Sequence, residues 1–259
     1  MPMIRVRGVS KRYRVGKLAT TLKESLAGWL SGTPSADWLW ALRDVSLSVN
    51  AGEAVGIVGQ NGAGKSTFLR LLARVSKPTV GTIETKGRMA ALLELGAGFH
   101  PDLTGRENIF LNGTLLGLTR KEISKRFDEI VAFSEVERFI DTPVKHFSRG
   151  MTLRLSFAIA AYVNCDLLLV DEVLSVGDAR FAEKCLIRMQ RLRDQGMTIV
   201  LTSHNLQTVV DFCSRAVLFR GGSLIADGQP EEIVNLYSSK SSHSEAIDRQ
   251  QALRRGAWV

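Results

Sequence analysis

The rhythm of hydrophobic and polar positions changes repeatedly along the chain, and each change marks an element. Residues 4–13 and 41–50 read as strands, and the second, ALRDVSLSVN, alternates apolar and polar positions as a half-buried strand does. Between them Leu18, Leu22, Leu26, Trp29 and Leu30 recur at spacings of four, four, three and one, which predicts a helix with one apolar face. That face either packs on its own domain or docks on a partner or membrane surface; the loop SGTPSADW follows it. EAVGIVG is a short apolar strand entering a glycine loop, and KSTFLRLLARV runs on as a helix. Residues 119–140 open on Thr119 with Glu122 three positions later, a capping-box pattern, and carry Ile123, Phe127, Ile130 and Val131 at helical spacing. Residues 148–164 form a further predicted helix. DLLLVDE and TIVLTSH are the continuous apolar runs that a strand buried on both faces requires, and AVLFRGGSLIADG reads as a hairpin around Gly221 and Gly222. The last twenty or so residues are polar, and no internal repeat is evident.

Composition narrows this picture only a little. A length of 259 residues suits one large α/β domain or one domain with an inserted lobe, and 45% hydrophobic residues supply a substantial core. The net charge of +8 suits an anionic ligand, a nucleic acid or a membrane surface, and equally a solvated basic face. Cys165, Cys185 and Cys213 are odd in number and far apart, so neither a disulfide framework nor a zinc site is expected, and a reducing cytoplasm is the default. MPMIRVRGVSKRYRV lacks the apolar run of a secretion signal. The longest uncharged apolar stretch in the middle of the chain, LSFAIAAYVNC, has eleven residues where a spanning helix needs about 20, so no unaided membrane crossing is expected.

Candidate chemistry changes the picture far more. GQNGAGKST fits G-x-x-x-x-G-K-[ST] at Gly59, Gly64, Lys65 and Ser66, with a strand before it and a helix after it. Glycines let backbone N–H groups wrap a phosphate at a helix N-terminus, Lys65 is placed to reach the β and γ oxygens, and the Ser66 hydroxyl to ligate Mg²⁺. Asn61, Gly62 and Thr67 belong to the same cradle. The strand LLLVDE brings Asp171 to the Mg²⁺ shell and leaves Glu172 one residue beyond, at the strand end where open α/β sheets bind ligands, as a base for attacking water. Ser148 and Gly150 open the helix at 148–164; Ser148 is either a plain helix cap or, with Gly150, part of a second anion site.

Taken together these motifs resemble the ATP-binding subunits of ATP-binding-cassette (ABC) transporters, over residues 4–238. The resemblance implies an α/β P-loop NTPase fold: a RecA-like mixed sheet, an antiparallel β subdomain and an inserted α-helical subdomain at about 95–165. The whole would form one nucleotide-binding domain, 1–238, with a polar tail at 239–259. It also implies that FSRGM stands at the family's signature segment, so that Ser148, Arg149 and Gly150 contact ATP held by the opposite subunit. This segment departs from the usual LSGGQ by carrying Arg149 and Met151 for Gly and Gln. SVGD occupies the D-loop position, with Asp178 at the dimer contact, and LTSHN ends in His204, the switch histidine. Tyr13 stands where the family stacks an aromatic ring on adenine, though a core or surface role also suits it. The family's Mg²⁺-linking Gln is missing, and Glu94 or Leu95 occupies its place, Glu94 being the one able to ligate the metal.

At a finer level, LLELGAGFHPDLTGRENIFLNG, FSRGMTLRLSFAIA and LSVGDARF look like the ATPases of bacterial polysaccharide exporters, which move lipid-linked O-antigen, capsule or teichoic-acid chains. ATP and Mg²⁺ are the implied ligands. A second copy of the chain and integral-membrane permease subunits are the implied partners, with no nucleic acid. The implied location is the cytoplasmic face of the bacterial inner membrane, held peripherally. About twenty residues beyond the core are too few for an appended carbohydrate-binding domain, so none is expected in this polypeptide. The alternatives are an importer or drug or lipid exporter of the same class, a soluble ABC ATPase acting on nucleic acid or ribosomes, and a nucleotide-gated scaffold without turnover.

Overall fold

A computed structural model describes residues 1–15, 37–93, 96, 98–171, 178–203 and 205–239. In chain order these form β1 (Pro2–Val15), β2 (Asp37–Asn50), β3 (Ala54–Val58), α1 (Lys65–Leu72), β4 (Val80–Thr85), β5 (Met89–Leu92), α2 (Gly105–Leu115) and α3 (Arg120–Ser134). Then follow α4 (Arg149–Ala161), β6 (Leu167–Asp171), α5 (Ala179–Asp194), β7 (Thr198–Thr202), α6 (Leu206–Phe212), β8 (Arg215–Arg220) and β9 (Ser223–Gly228). Residues 230–239 are helical. The segment expected as an apolar-faced helix at 18–30 and all of the tail expected at 239–259 except Ser239, which ends a helix, lie outside the described residues.

Two sheets carry the molecule. One is three-stranded and antiparallel in the order β2-β1-β4. The other is six-stranded in the order β5-β6-β7-β3-β8-β9, parallel throughout except for β9 at its edge. The two-residue period of its strands sorts their side chains into two cores. Val55, Ile57, Leu167, Leu169, Val200, Val217 and Phe219 point to the side of α1 and the antiparallel sheet. Ala54, Val58, Leu168, Val170, Ile199, Leu201 and Leu218 point to the side of α2–α5. Being covered on both faces is why these strands read as unbroken apolar runs. The three cysteines are free and buried. Among the described residues no helix is long and apolar enough to cross a membrane.

The mixed sheet, the antiparallel sheet and the helices match the expected fold class, while several boundaries moved. The first two strands are longer than the alternation indicated, 2–15 and 37–50 against 4–13 and 41–50. The helix expected over 119–140 stops at Ser134, because Glu135 turns into the left-handed region at φ 59 with its carboxylate held by Arg154 and Lys184. The helix expected over 148–164 stops at Ala161, whose carbonyl accepts from the Arg188 guanidinium at 3.0 Å.

Helix α2 has no counterpart in the apolar pattern. Its buried face carries Asn108, Ile109, Asn112 and Gly113. Gly113 is required by packing, since a Cβ there would meet Ile123 Cδ1 of α3 at 2.7 Å. Asn108 donates to the carbonyls of His100, Leu103 and Thr104 and accepts from the His100 N–H, while Asn112 donates to the Gly98 carbonyl. The buried amides therefore fasten the preceding loop to the helix, which is why polar residues occupy a buried stripe.

Candidate functional site

The glycine loop emerges from β3, the strand between β7 and β8 in the six-stranded sheet, and ends at α1. Gly64 caps α1 at φ 105, and a Cβ there would lie 2.7 Å from both the Ala41 carbonyl oxygen and Leu42 Cδ2. No other residue fits that position. Lys65, only 5% exposed, donates its ammonium to the carbonyls of Gly59 at 2.7 Å and Gln60 at 3.1 Å, so its charge is held inside the loop. Tyr13, Asn61, Gly62, Gly64, Lys65, Ser66 and Thr67 all line one cleft of about 370 Å³, together with Leu39 and Trp40 from β2. The sequence reading placed Tyr13 there and overlooked Leu39 and Trp40. Their pairing with β1, Leu39 opposite Tyr13 and Trp40 opposite Arg12, brings them to the same edge.

Asp171 closes β6, in register with Thr202 at the end of β7, and its Oδ1 accepts from the Thr202 hydroxyl at 2.5 Å. Thr202 is 1% exposed, so this bond orients the carboxylate from inside the sheet. Glu172, His204, Glu94 and Leu95 lie outside the described residues.

A second cleft, of about 430 Å³, is lined by Glu135, Val136, Ser148, Gly150, Met151, Arg154 and Asp178. Ser148 is the N-cap of α4: its Oγ accepts from the Met151 N–H at 3.2 Å, and the side chain is otherwise exposed beside exposed Arg149. Nothing lies closer than 3.8 Å to a Cβ built on Gly150, which leaves the helix start open to an approaching group. Asp178 is the N-cap of α5, accepting from the Phe181 N–H at 2.9 Å, and accepts from Arg154 at 2.7 Å. The Phe181 N–H, with Arg154 and Arg180 nearby, holds its carboxyl below the usual aspartate value. The two clefts share no residue.

The donors fit a nucleotide-bound Mg²⁺. Among the described residues no three His, Cys, Asp or Glu side chains gather into a metal site. The hard oxygens on offer are the Ser66 hydroxyl beside Lys65 and the Asp171 carboxylate. Mg²⁺ is characteristically bound by one or two carboxylates and completed by phosphates and water.

Comparison with known proteins gives the same picture. The protein-family model described as ABC transporter matches residues 42–175. The chain is 45% identical over 252 residues to the "O-antigen export system ATP-binding protein RfbB" of Myxococcus xanthus, covering 95% of this chain and 58% of that protein. It is 49% identical over 197 residues to the protein of the same name from Klebsiella pneumoniae, covering 76% of this chain and 80% of that one. Its fold superimposes with a TM-score of 0.72 on a dimeric ATP-binding cassette in a post-hydrolysis state bound to ADP and Pi, at 23% identity, covering 88% and 99% of the two chains. With a phosphate loop between strand and helix, a carboxylate at the end of β6 two strands away in the same sheet and these relatives, the chain belongs to the ABC transporter family, as one of its ATPase subunits.

Proposed function

We propose that this protein drives export of a lipid-linked cell-surface polysaccharide, hydrolysing ATP as a head-to-tail homodimer beneath a membrane-embedded permease on the cytoplasmic face of the inner membrane. The observation that carries the dimer is the separation of the two clefts: the phosphate loop and Ser148 stand on different elements with no lining residue in common. In the dimer each nucleotide lies between Gly59, Asn61, Gly62, Gly64, Lys65, Ser66 and Thr67 of one copy and Ser148, Arg149 and Gly150 of the other. Tyr13 offers its ring face to the adenine, and Asp178 lies at the contact between copies. Ser66 and Asp171 would hold Mg²⁺, which would supply neutralisation of the phosphate charge. Lys65 orients the terminal phosphate, Glu172 takes a proton from the attacking water, and His204 faces the γ-phosphate. Glu94 or Leu95 takes the Gln position, and Glu94 would add a metal ligand. ATP binds the closed dimer more tightly than the open one, so binding closes it and hydrolysis reopens it. The substrate class rests on the similarity to O-antigen export ATP-binding proteins.

The test is complementation in a strain lacking the protein. Lys65→Met and Ser148→Arg variants, each expressed alone, are expected to leave the surface without glycan and lipid-linked polymer inside. Expressed together they form mixed dimers with one intact composite site, and the purified mixture regains up to about a quarter of the wild-type sites. Normal glycan in the deletion strain overturns the transport reading. A mixture as inactive as its components overturns the shared site.

A further inference from the structure

The outer side of α5 carries a charge pattern that nucleotide chemistry leaves unused. Its buried stripe is Phe181, Cys185, Met189 and Leu192. One position before each of these stands a cation, Arg180, Lys184, Arg188 and Arg191, so the four charges recur at spacings of four, four and three. That spacing keeps them on one side of the helix, along a line about 16 Å long. All four line a cleft of about 550 Å³, together with Glu183 and Ile187 of the same helix. Its opposite wall is made by Phe133 and Glu135 at the end of α3 and by Tyr162 at the end of α4.

The middle two cations are fixed in place. Lys184 donates to the Phe133 carbonyl and to Glu135, each at 2.9 Å, and lies 4.7 Å from the centre of the Phe133 ring. Arg188 donates Nε and Nη2 to the Ala161 carbonyl at 3.2 and 3.0 Å, and stacks 4.3 Å over the Tyr162 ring. The end cations are different. Arg180 and Arg191 are exposed and make no hydrogen bond or ion pair with the described residues. Ile187, between them on the same helix, is 44% exposed.

Like charges four apart on a helix repel. Of the two carboxylates in the cleft, Glu135 is already engaged by both Arg154 and Lys184. An occupant that brings negative charge is therefore favoured, and the geometry selects its kind. Arg180 and Arg191 stand at opposite ends of the line, too far apart to meet on one small anion. A bilayer is too flat to follow a recess walled by two helix ends. A nucleic acid would find no bare ring to stack on, since cations already cover Phe133 and Tyr162, and it has no apolar group for Ile187. A helix laid along α5 meets every demand, with carboxylates at matching spacing and one apolar side chain among them.

We propose that this side of α5 is a docking groove for an acidic amphipathic helix of a partner protein. Arg180 and Arg191 hold the helix at its two ends, Lys184 and Arg188 supply fixed charge between them, and Ile187 takes its apolar contact.

The first experiment measures fluorescence anisotropy of a labelled helical peptide of about sixteen residues on the full-length protein. The peptide carries glutamates at spacings of four, four and three with a leucine placed to meet Ile187. It is expected to bind and to weaken as salt rises, whereas a scrambled peptide of the same composition binds at least about tenfold less tightly. Arg180→Glu/Arg191→Glu and, separately, Ile187→Ser are each expected to weaken binding about tenfold with Tm unchanged, since all three side chains are exposed. Equal binding of the scrambled peptide, or undiminished binding by the variants, overturns the proposal. So does tighter binding, under the same conditions, of a DNA duplex or of vesicles of anionic phospholipid. In the second experiment a photo-crosslinking residue replaces Ile187 in cells, and the trapped segment is sequenced. A segment with carboxylates three and four apart around an apolar residue bears the proposal out. A basic or uncharged segment, or no adduct, overturns it.

Discussion

At the residue scale, chemistry is set by what holds a functional group from behind. Asp171 accepts from a buried hydroxyl on the next strand, so its direction is decided before any metal arrives. Thr202→Val keeps the shape and deletes that bond, leaving a carboxylate with less support in the sheet. The expected cost is about 2 kcal/mol of stability, seen as a lower Tm, with a raised Mg²⁺ requirement in the ATPase assay. An unchanged Mg²⁺ dependence would show that Asp171 is oriented by something else. The two residues differ in how readily a sequence reveals them. Lys65 is legible because a phosphate loop fixes its neighbours by spacing. Thr202 is not, because its partner lies 31 positions away and only the strand register joins them. The same reason hid Leu39 and Trp40.

At the element scale, one residue can carry two duties that substitution separates. Ser148 caps α4 and presents its hydroxyl to the second cleft. Ser148→Ala removes both and is expected to cost about 1 kcal/mol of stability as well as activity. Ser148→Asp keeps a good cap but sets a negative charge where a γ-phosphate must approach. Its Tm should match wild type while ATP-driven dimerisation, followed by light scattering, is lost. Dimerisation surviving in Ser148→Asp would leave Ser148 a cap and nothing more. Elements were legible where burial was purely apolar, as in β3, β6 and β7. Helix α5 was not read from the sequence, although Phe181, Cys185, Met189 and Leu192, buried behind the Asp178 cap, recur at spacings of four, four and three. Helix α2 gave none of that kind: its buried stripe holds two asparagines and a glycine, and only the Thr104–Glu107 capping box announces it.

At the scale of the whole molecule, the carboxyls held by a partner are unevenly placed. Every carboxyl with a lowered value among the described residues, Asp102, Glu107, Glu122, Glu135, Asp141 and Asp178, lies between residues 102 and 178. Their causes are local: Lys145 for Asp102, the Thr104 and Thr119 caps for Glu107 and Glu122, Lys184 for Glu135, Arg106 for Asp141 and the Phe181 N–H for Asp178. A depressed carboxyl stabilises the fold above its unfolded value and loses that contribution as pH falls through the folded one. Acid should therefore loosen α2–α4 before the six-stranded sheet. Amide exchange, corrected for its intrinsic pH dependence, should rise in these helices below the ordinary glutamate value of 4.5 while β3 and β7 stay protected. Simultaneous loss of protection everywhere would show that the helical layer has no separate acid response. The overall architecture was readable because buried parallel strands and a phosphate loop admit few arrangements, whereas the partners that hold these carboxyls meet them only once the helices are assembled. The amides of Asn108 and Asn112 add a mechanical property: they weld residues 98–104 to α2. A hinge cannot form there. Force applied to residues 98–104 is therefore handed to α2 as to a single body, the way a crank turns its shaft.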